Sequence, residues 1–281
     1  MPEAVPQELV EMIVDDVGRG RGRVHRPPLK LKEGSSVPNP DIVVYETLKN
    51  CALVARSWTH RSQMNLFKGV VFAVNEEEGI HDLPLPSAAS LGFIKFLEIA
   101  VAPENPHRGP ITSYLLSVFS VCPLETLQID RGLFSLGARP ALFASFNALS
   151  GLLSDITFRF CLFEPEPLHD ILSIQDTMAN VTFLGCDQDH PGDPSRQDIN
   201  WEPIYHSEDR TFSVIGGDGN ASEEFMLDLS GLSVSFGRLE VDFYEDGEWL
   251  DATQCLIDAS AGTLSFLRLN VISDSFSALS L

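Results

Sequence analysis

The sequence predicts an α+β chain, with three short helices at its N-terminus followed by an α/β solenoid of parallel strands. Three observations lead there. Helical spacing of apolar residues is concentrated in the first seventy or so positions. Beyond Val74, strand-like runs with apolar residues two apart recur at steps of about 25 to 31 residues, within the range of strand-plus-helix repeats. Helix-like stretches lie between those runs. The expected division is therefore 1–73 for the helices and 74–281 for the repeats.

The first helix starts near Pro6, where a missing N–H costs nothing in the first turn. Leu9, Met12, Ile13 and Val17 form its stripe, and Val10 and Val14 widen it. The second runs from Tyr45 to about Ser57. Leu48, Ala52 and Ala55 lie on one face, with Leu53, Val54 and Trp58 beside it. Thr59 is placed to cap a third helix ending near Leu66 and Phe67. Between the first two helices stands GRGRGRVHRPPLKLKEGSSVPNP, Gly18 to Pro40. It has no hydrophobic period and reads as a disordered loop. Its other readings are an RNA-binding Arg-Gly tract and an unspliced intron.

The repeats are carried by the pairs Leu97/Ile99, Leu127/Ile129, Ile156/Phe158, Val181/Phe183, Phe212/Val214, Leu239/Val241 and Leu267/Leu269. Helices are expected over Ile111–Val121, Leu168–Gln175 and Ala252–Ser260. Strand followed by helix, repeated, stacks parallel strands into a solenoid of the leucine-rich-repeat type. In it Gln128 and Thr157 face outward. The competing reading is a non-repetitive α/β domain, because no fixed Asn or Cys closes each strand and FMLDLSGLSV (Phe225–Val234) fits no slot.

Composition limits the function. The chain has 281 residues, 44 % of them apolar, and a formal charge of −21. Such a charge disfavours phosphate backbones and anionic lipid. No run of about 20 apolar residues predicts a membrane span, and the acidic N-terminus does not read as a signal peptide. The location expected is cytoplasmic, nuclear or both. Five scattered cysteines, Cys51, Cys122, Cys161, Cys186 and Cys255, read as buried reduced thiols. No phosphate loop, nucleophile elbow or paired-histidine metal motif occurs. CDQDHPGDP (Cys186–Pro194) reads as a solvated turn. Glu76–Glu78 and Glu245–Trp249 read as exposed faces. No catalytic residue, cofactor or metal is therefore expected.

PQELVEMIVDDV followed by LKNCALVARSWTHRSQMNLF resembles the F-box, in the wording found among mushroom-forming fungi. Pro6, Glu8, Leu9 and Ile13 match its first element. Cys51, Leu53, Val54, Arg56 and Trp58 match its second, and Leu66 and Phe67 its third. Val5 stands where Leu is usual, Ala55 where a second Cys is common, and the Gly18–Pro40 insert is longer than the usual link. The resemblance implies three helices sharing a core with the adaptor of Skp–cullin–F-box ubiquitin ligases. Pro6, Leu9, Ile13, Leu53, Val54, Trp58 and Leu66 would touch that adaptor, with Trp58 at the seam. The function implied is a non-catalytic substrate receptor, with an adaptor, a cullin and an unidentified target as partners. The alternatives are a non-ligase scaffold and an RNA-associated protein using the Arg-Gly tract.

Overall fold

The computed structural model describes residues 7–19, 47–53, 56–83, 85–150, 152–174, 180–188, 201–206, 209–215, 221–244 and 247–272. The fold is mixed α/β with a large parallel sheet. It divides into two compact units. The first holds Met1–Phe72, Pro84–Glu98 and Val121–Leu124, and the second Ala73–Leu83, Ile99–Ser120 and Glu125–Leu281.

In the first unit, α1 is Gln7–Arg19, α2 covers residues 47–53, and α3 is Arg56–Phe67. Helix α1 thus includes Gly18 and Arg19, the first two residues assigned to the loop; residues 20–40 lie outside the described ones. Helix α3 begins at Arg56, so Thr59 is not its cap. The Thr59 hydroxyl instead donates to the Ala52 carbonyl at 2.9 Å and ties α3 to α2. GVVFAV, assigned no element from the sequence, forms β1, Gly69–Val74. A short helix α4, Ala88–Leu91, precedes β2, Phe96–Val101. Lys95 and Phe96 N–H both donate to the Lys68 carbonyl, which sets β2 beside β1.

In the second unit the units repeat with a finer grain than one strand and one helix. After α5 (Arg108–Phe119) come β3 (Thr126–Asp130) and a two-residue strand β4 (Leu133–Phe134). Next are α6 (Arg139–Ser150), β5 (Asp155–Arg159) and β6 (Leu162–Phe163). Then follow α7 (Pro165–Ser173), β7 (Asn180–Leu184) and β8 (Asp187–Gln188). β9 (Ile204–Tyr205), β10 (Thr211–Ile215), α8 (Ala221–Gly231) and β11 (Val234–Ser235) come before β12 (Arg238–Tyr244), α9 (Gly247–Ser260) and β13 (Phe266–Ile272).

The long strands lie in the order β3-β5-β7-β10-β12-β13. Each pairs with the next in parallel, and the register matches the spacing of the apolar pairs. Leu127 and Ile129 stand opposite Ile156 and Phe158. Those stand opposite Val181 and Phe183, then Phe212 and Val214, then Leu239 and Val241. These inward residues are 0 to 7 % exposed, and Gln128 and Thr157 lie on the opposite face, half-buried. β4, β6 and β8 form a second parallel sheet.

One local device produces both sheets. The residue after each of β3, β5 and β7 takes positive φ: Arg131 (57°), Phe160 (50°) and Gly185 (56°). The next residue turns inward, and two residues later the short strand begins to bury a side chain. At that inward position the Cys161 thiol donates to the Ile129 carbonyl at 3.4 Å, and the Cys186 thiol donates to the Phe158 carbonyl at 3.4 Å. Each thiol therefore ties its unit to the strand before it. Gly132 holds the same position in the unit of β3.

Phenylalanines fill the space between the sheets. Phe134 stacks on Phe163 at 4.7 Å, Phe158 on Phe183 at 5.1 Å, and Phe212 on Phe236 at 3.9 Å between centroids. Phe158 meets Phe163 at 5.2 Å and Phe183 meets Phe212 at 5.3 Å, which joins these pairs into one aromatic column.

Several expectations are corrected. FMLDLSGLSV is two elements, the end of α8 and the strand β11, separated by Ser233 at φ 56°. Phe225, Met226 and Leu229 point into the core from the helix, and Leu232 and Val234 continue it beyond. Trp249 of the acidic stretch is 3 % exposed, within α9, and is core rather than surface. Cys255 is exposed and Cys51 half-buried, so only Cys122, Cys161 and Cys186 are buried thiols among the five. Of CDQDHPGDP, Cys186 and Gln188 are buried, and 189–194 lie outside the described residues.

Candidate functional site

The first unit contains a small dry core and an apolar surface turned away from it. Val10, Val14 and Leu48 are 2, 0 and 0 % exposed, and Cys51, Trp58 and Leu66 pack against them. On α1 the buried residues lie at i and i+4, as one face of a helix requires. The longer apolar stripe of the same helix lies outside. Leu9 is 48 % exposed, Met12 66 % and Ile13 47 %. On α2, Leu53 is 79 % exposed while Leu48 is fully buried. The sequence favoured Leu9, Met12 and Ile13 as the main stripe, with Val10 and Val14 at its margin. The fold seats the two valines inward and leaves the stripe uncovered.

Polar contacts fix the helix that carries this face. Arg61 of α3 holds Asp15 of α1 with two hydrogen bonds, Nε to Oδ1 at 2.7 Å and Nη2 to Oδ2. Asn65 Nδ2 adds a third, to Oδ1 at 3.1 Å. A paired guanidinium and carboxylate fix orientation as well as distance. The hydrogen bond to Asp15 holds the Arg61 pKa above its ordinary value, against the opposing effect of burial. A groove of about 580 Å³ runs along the outer side of α1, lined by Leu9, Met12 and Ile13 together with Glu8, Glu11, Asp15, Asp16 and Arg61. It is an apolar floor with an acidic rim.

Of the residues nominated from the sequence, the fold exposes Leu9, Ile13 and Leu53. Trp58 and Leu66 are half-buried against the core, each with part of its surface still open. Pro6 and Val54 lie outside the described residues. Met12 was not nominated, although its i+3 spacing from Leu9 was visible.

A second surface is the solvent side of the long strands. Gln128, Thr157, Thr182, Ser213, Glu240 and Arg268 stand in one row across five strand pairs. On either side of this row, polar side chains bind one another across strands. Asn180 Nδ2 donates to Asp155 Oδ1 at 2.8 Å, and Asn270 Nδ2 to Asp242 Oδ1 at 2.5 Å. The Arg238 guanidinium lies over the Phe266 ring at 4.3 Å. The middle of the row, Thr157, Thr182 and Ser213, carries short side chains, flanked by the longer Gln128, Glu240 and Arg268.

Three buried titratable groups, Cys122, Cys186 and His206, are part of the packed interior. Burial pushes the Cys122 thiol up to about 11 and the Cys186 thiol well above its ordinary value, so neither is a ready nucleophile. His206 is pushed down to about 3 by burial, with Arg210 adding to the effect. It packs beside the stacked Phe212 and Phe236 rings, 4.8 Å from the Phe236 centroid, and is neutral at pH 7. Among the described residues no group of three or more His, Cys, Asp or Glu is arranged to hold a metal ion. Nor is any helix there long and apolar enough to cross a membrane. No family model, curated protein or solved structure matches the chain.

Proposed function

We propose that the chain is the substrate-receptor subunit of a Skp–cullin–F-box ubiquitin ligase. The observation that carries this reading is the uncovered apolar face on α1 and α2. Leu9, Met12, Ile13 and Leu53 are exposed above a core too small to use them, and the F-box resemblance supplies the occupant, the helices of a Skp-type adaptor. Burying such side chains in an interface stabilises it by about 25 cal/mol per Å² of apolar surface. Trp58 and Leu66 would add their open edges to that contact.

The second unit would hold the target. We read it as a leucine-rich-repeat-like solenoid. The support is a pattern finer than the strand pairs. Leu124, Leu127, Ile129, Gly132 and Phe134 recur as Leu153, Ile156, Phe158, Cys161 and Phe163, the spacing of L-x-x-L-x-L-x-x-C-x-L, with Ile or Phe at several Leu positions and Gly132 at the Cys position of the first unit. A receptor of this kind does no chemistry. It raises the effective concentration of a target lysine near the charged conjugating enzyme.

The test is titration calorimetry with a purified Skp-type adaptor, followed by reconstitution with a cullin. Binding in the micromolar range or tighter is expected. Leu53→Asp should weaken it at least a hundredfold with the circular dichroism spectrum unchanged, because a desolvated carboxylate opposite an apolar partner costs several kcal/mol. Unaltered affinity in a folded Leu53→Asp protein would refute the docking face. Adaptor binding without cullin recruitment would point to the scaffold alternative.

A further inference from the structure

The row of long strands ends, among the described residues, on β13. From β3 to β12 the inward side chains are 0 to 7 % exposed, because each strand is covered by its neighbours. The corresponding residues of β13 are open: Leu267 is 39 % exposed, Leu269 45 % and Val271 56 %. Among the described residues no strand pairs with β13 on the side away from β12. A seven-residue edge with an apolar inner face is a template for another strand.

We propose that this edge is a homodimer interface, in which β13 pairs antiparallel with β13 of a second copy about a two-fold axis at Leu269. The sequence FLRLNVI favours a second copy because its polar pattern reads the same from both ends. With Leu269 opposite Leu269, Leu267 meets Val271 and Arg268 meets Asn270. Directly opposed residues of an antiparallel pair project to the same face and interact there. In this register apolar meets apolar on the inner face and no like charges meet on the outer one. An axis at Arg268 would instead set two guanidinium groups against each other.

Charge selects the same strand. The chain carries 40 acids against 19 bases, so most of its surface repels another copy. β13 contains no acid, and its single charge, Arg268, lies 3.9 Å from Glu240 of β12. An isologous two-fold contact also closes on itself, so it gives a dimer rather than a fibre.

The experiment is sedimentation velocity of the full chain over a concentration series, at low and at high salt. A monomer–dimer equilibrium is expected, and it should tighten as salt screens the acidic surfaces. Leu269→Lys should weaken dimerisation at least tenfold while the melting temperature holds. As an independent arm, Leu269→Cys in a Cys255→Ser background should form a covalent dimer on mild oxidation. Its two Cα atoms would lie about 4.5–5.5 Å apart, within disulfide reach. Leu267→Cys should not link to itself, because it faces Val271. A monomer at every concentration, or a dimer indifferent to Leu269→Lys, would overturn the proposal. Equal self-linking of both cysteine variants would overturn the register. None of these results bears on adaptor binding, which uses α1 and α2.

Discussion

Gly132 and Cys161 occupy the same place in successive units, yet they are not interchangeable. A Cβ added at Gly132 would lie 2.8 Å from Ile129 Cγ2 and 3.0 Å from Phe134 Cε2. Both neighbours are fully buried and cannot retreat. Gly132→Ala should therefore cost about 1–3 kcal/mol by overpacking, measured as a lower urea midpoint. His206 gives a pH signature. Its folded pKa of about 3 lies below the unfolded value of 6.5, so the unfolded chain binds the extra proton. The stability this group contributes is complete above pH 6.5 and is lost as pH falls from 6.5 towards 3. His206→Phe should flatten the fall in melting temperature between pH 6.5 and 4.5 relative to the parent protein. At this scale the sequence concealed what mattered. Gly185 in LGC is the residue type that marks positive φ, but nothing in DRG or RFC does, and Phe160 is an uncommon residue to hold it. The cysteines were legible once aligned three places beyond Phe158 and Phe183, but their roles needed the register.

At the scale of elements, the long strands were legible because period-two alternation survives even in five residues. The two-residue strands were not, since two residues carry no period; their one trace is the recurrence of Leu-Phe at 133–134 and 162–163. Helix α6 was overlooked although Leu142, Phe146 and Leu149 have helical spacing, because Phe143 and Ala144 blur the stripe. On α1 both apolar stripes were visible, and only the packing decides which one turns inward. The difference between covered and uncovered strands can be measured. Leu127→Ala on β3, where the side chain is wholly buried, should cost about 2–5 kcal/mol through the cavity it leaves. In the monomer, secured by Leu269→Lys, a further Leu267→Ala on β13 should cost less than about 1 kcal/mol, because solvent already reaches it. Similar urea-denaturation losses for the two variants would contradict the end position of β13.

For the molecule as a whole, the recurring strand pairs with helical stretches between them led to a mixed α/β fold with parallel pairing. The apolar spacing of the first helices already showed more surface than a small core can use, and the fold adds how α1 is held, through Asp15, Arg61 and Asn65. The even step between strands has a further consequence, for the way the chain acquires its shape. Each long strand of the second unit pairs with the strand one repeat before or after it in the sequence, and so every ladder closes a loop of similar length. Loop-closure entropy grows only slowly with length, and no ladder has to wait for the far end of the chain. Parallel sheets built from distant segments fold slowly. Here order can begin at any adjacent pair and spread by single steps. From β3 to β12 the aromatic column rewards each step, by adding a ring to a stack already formed.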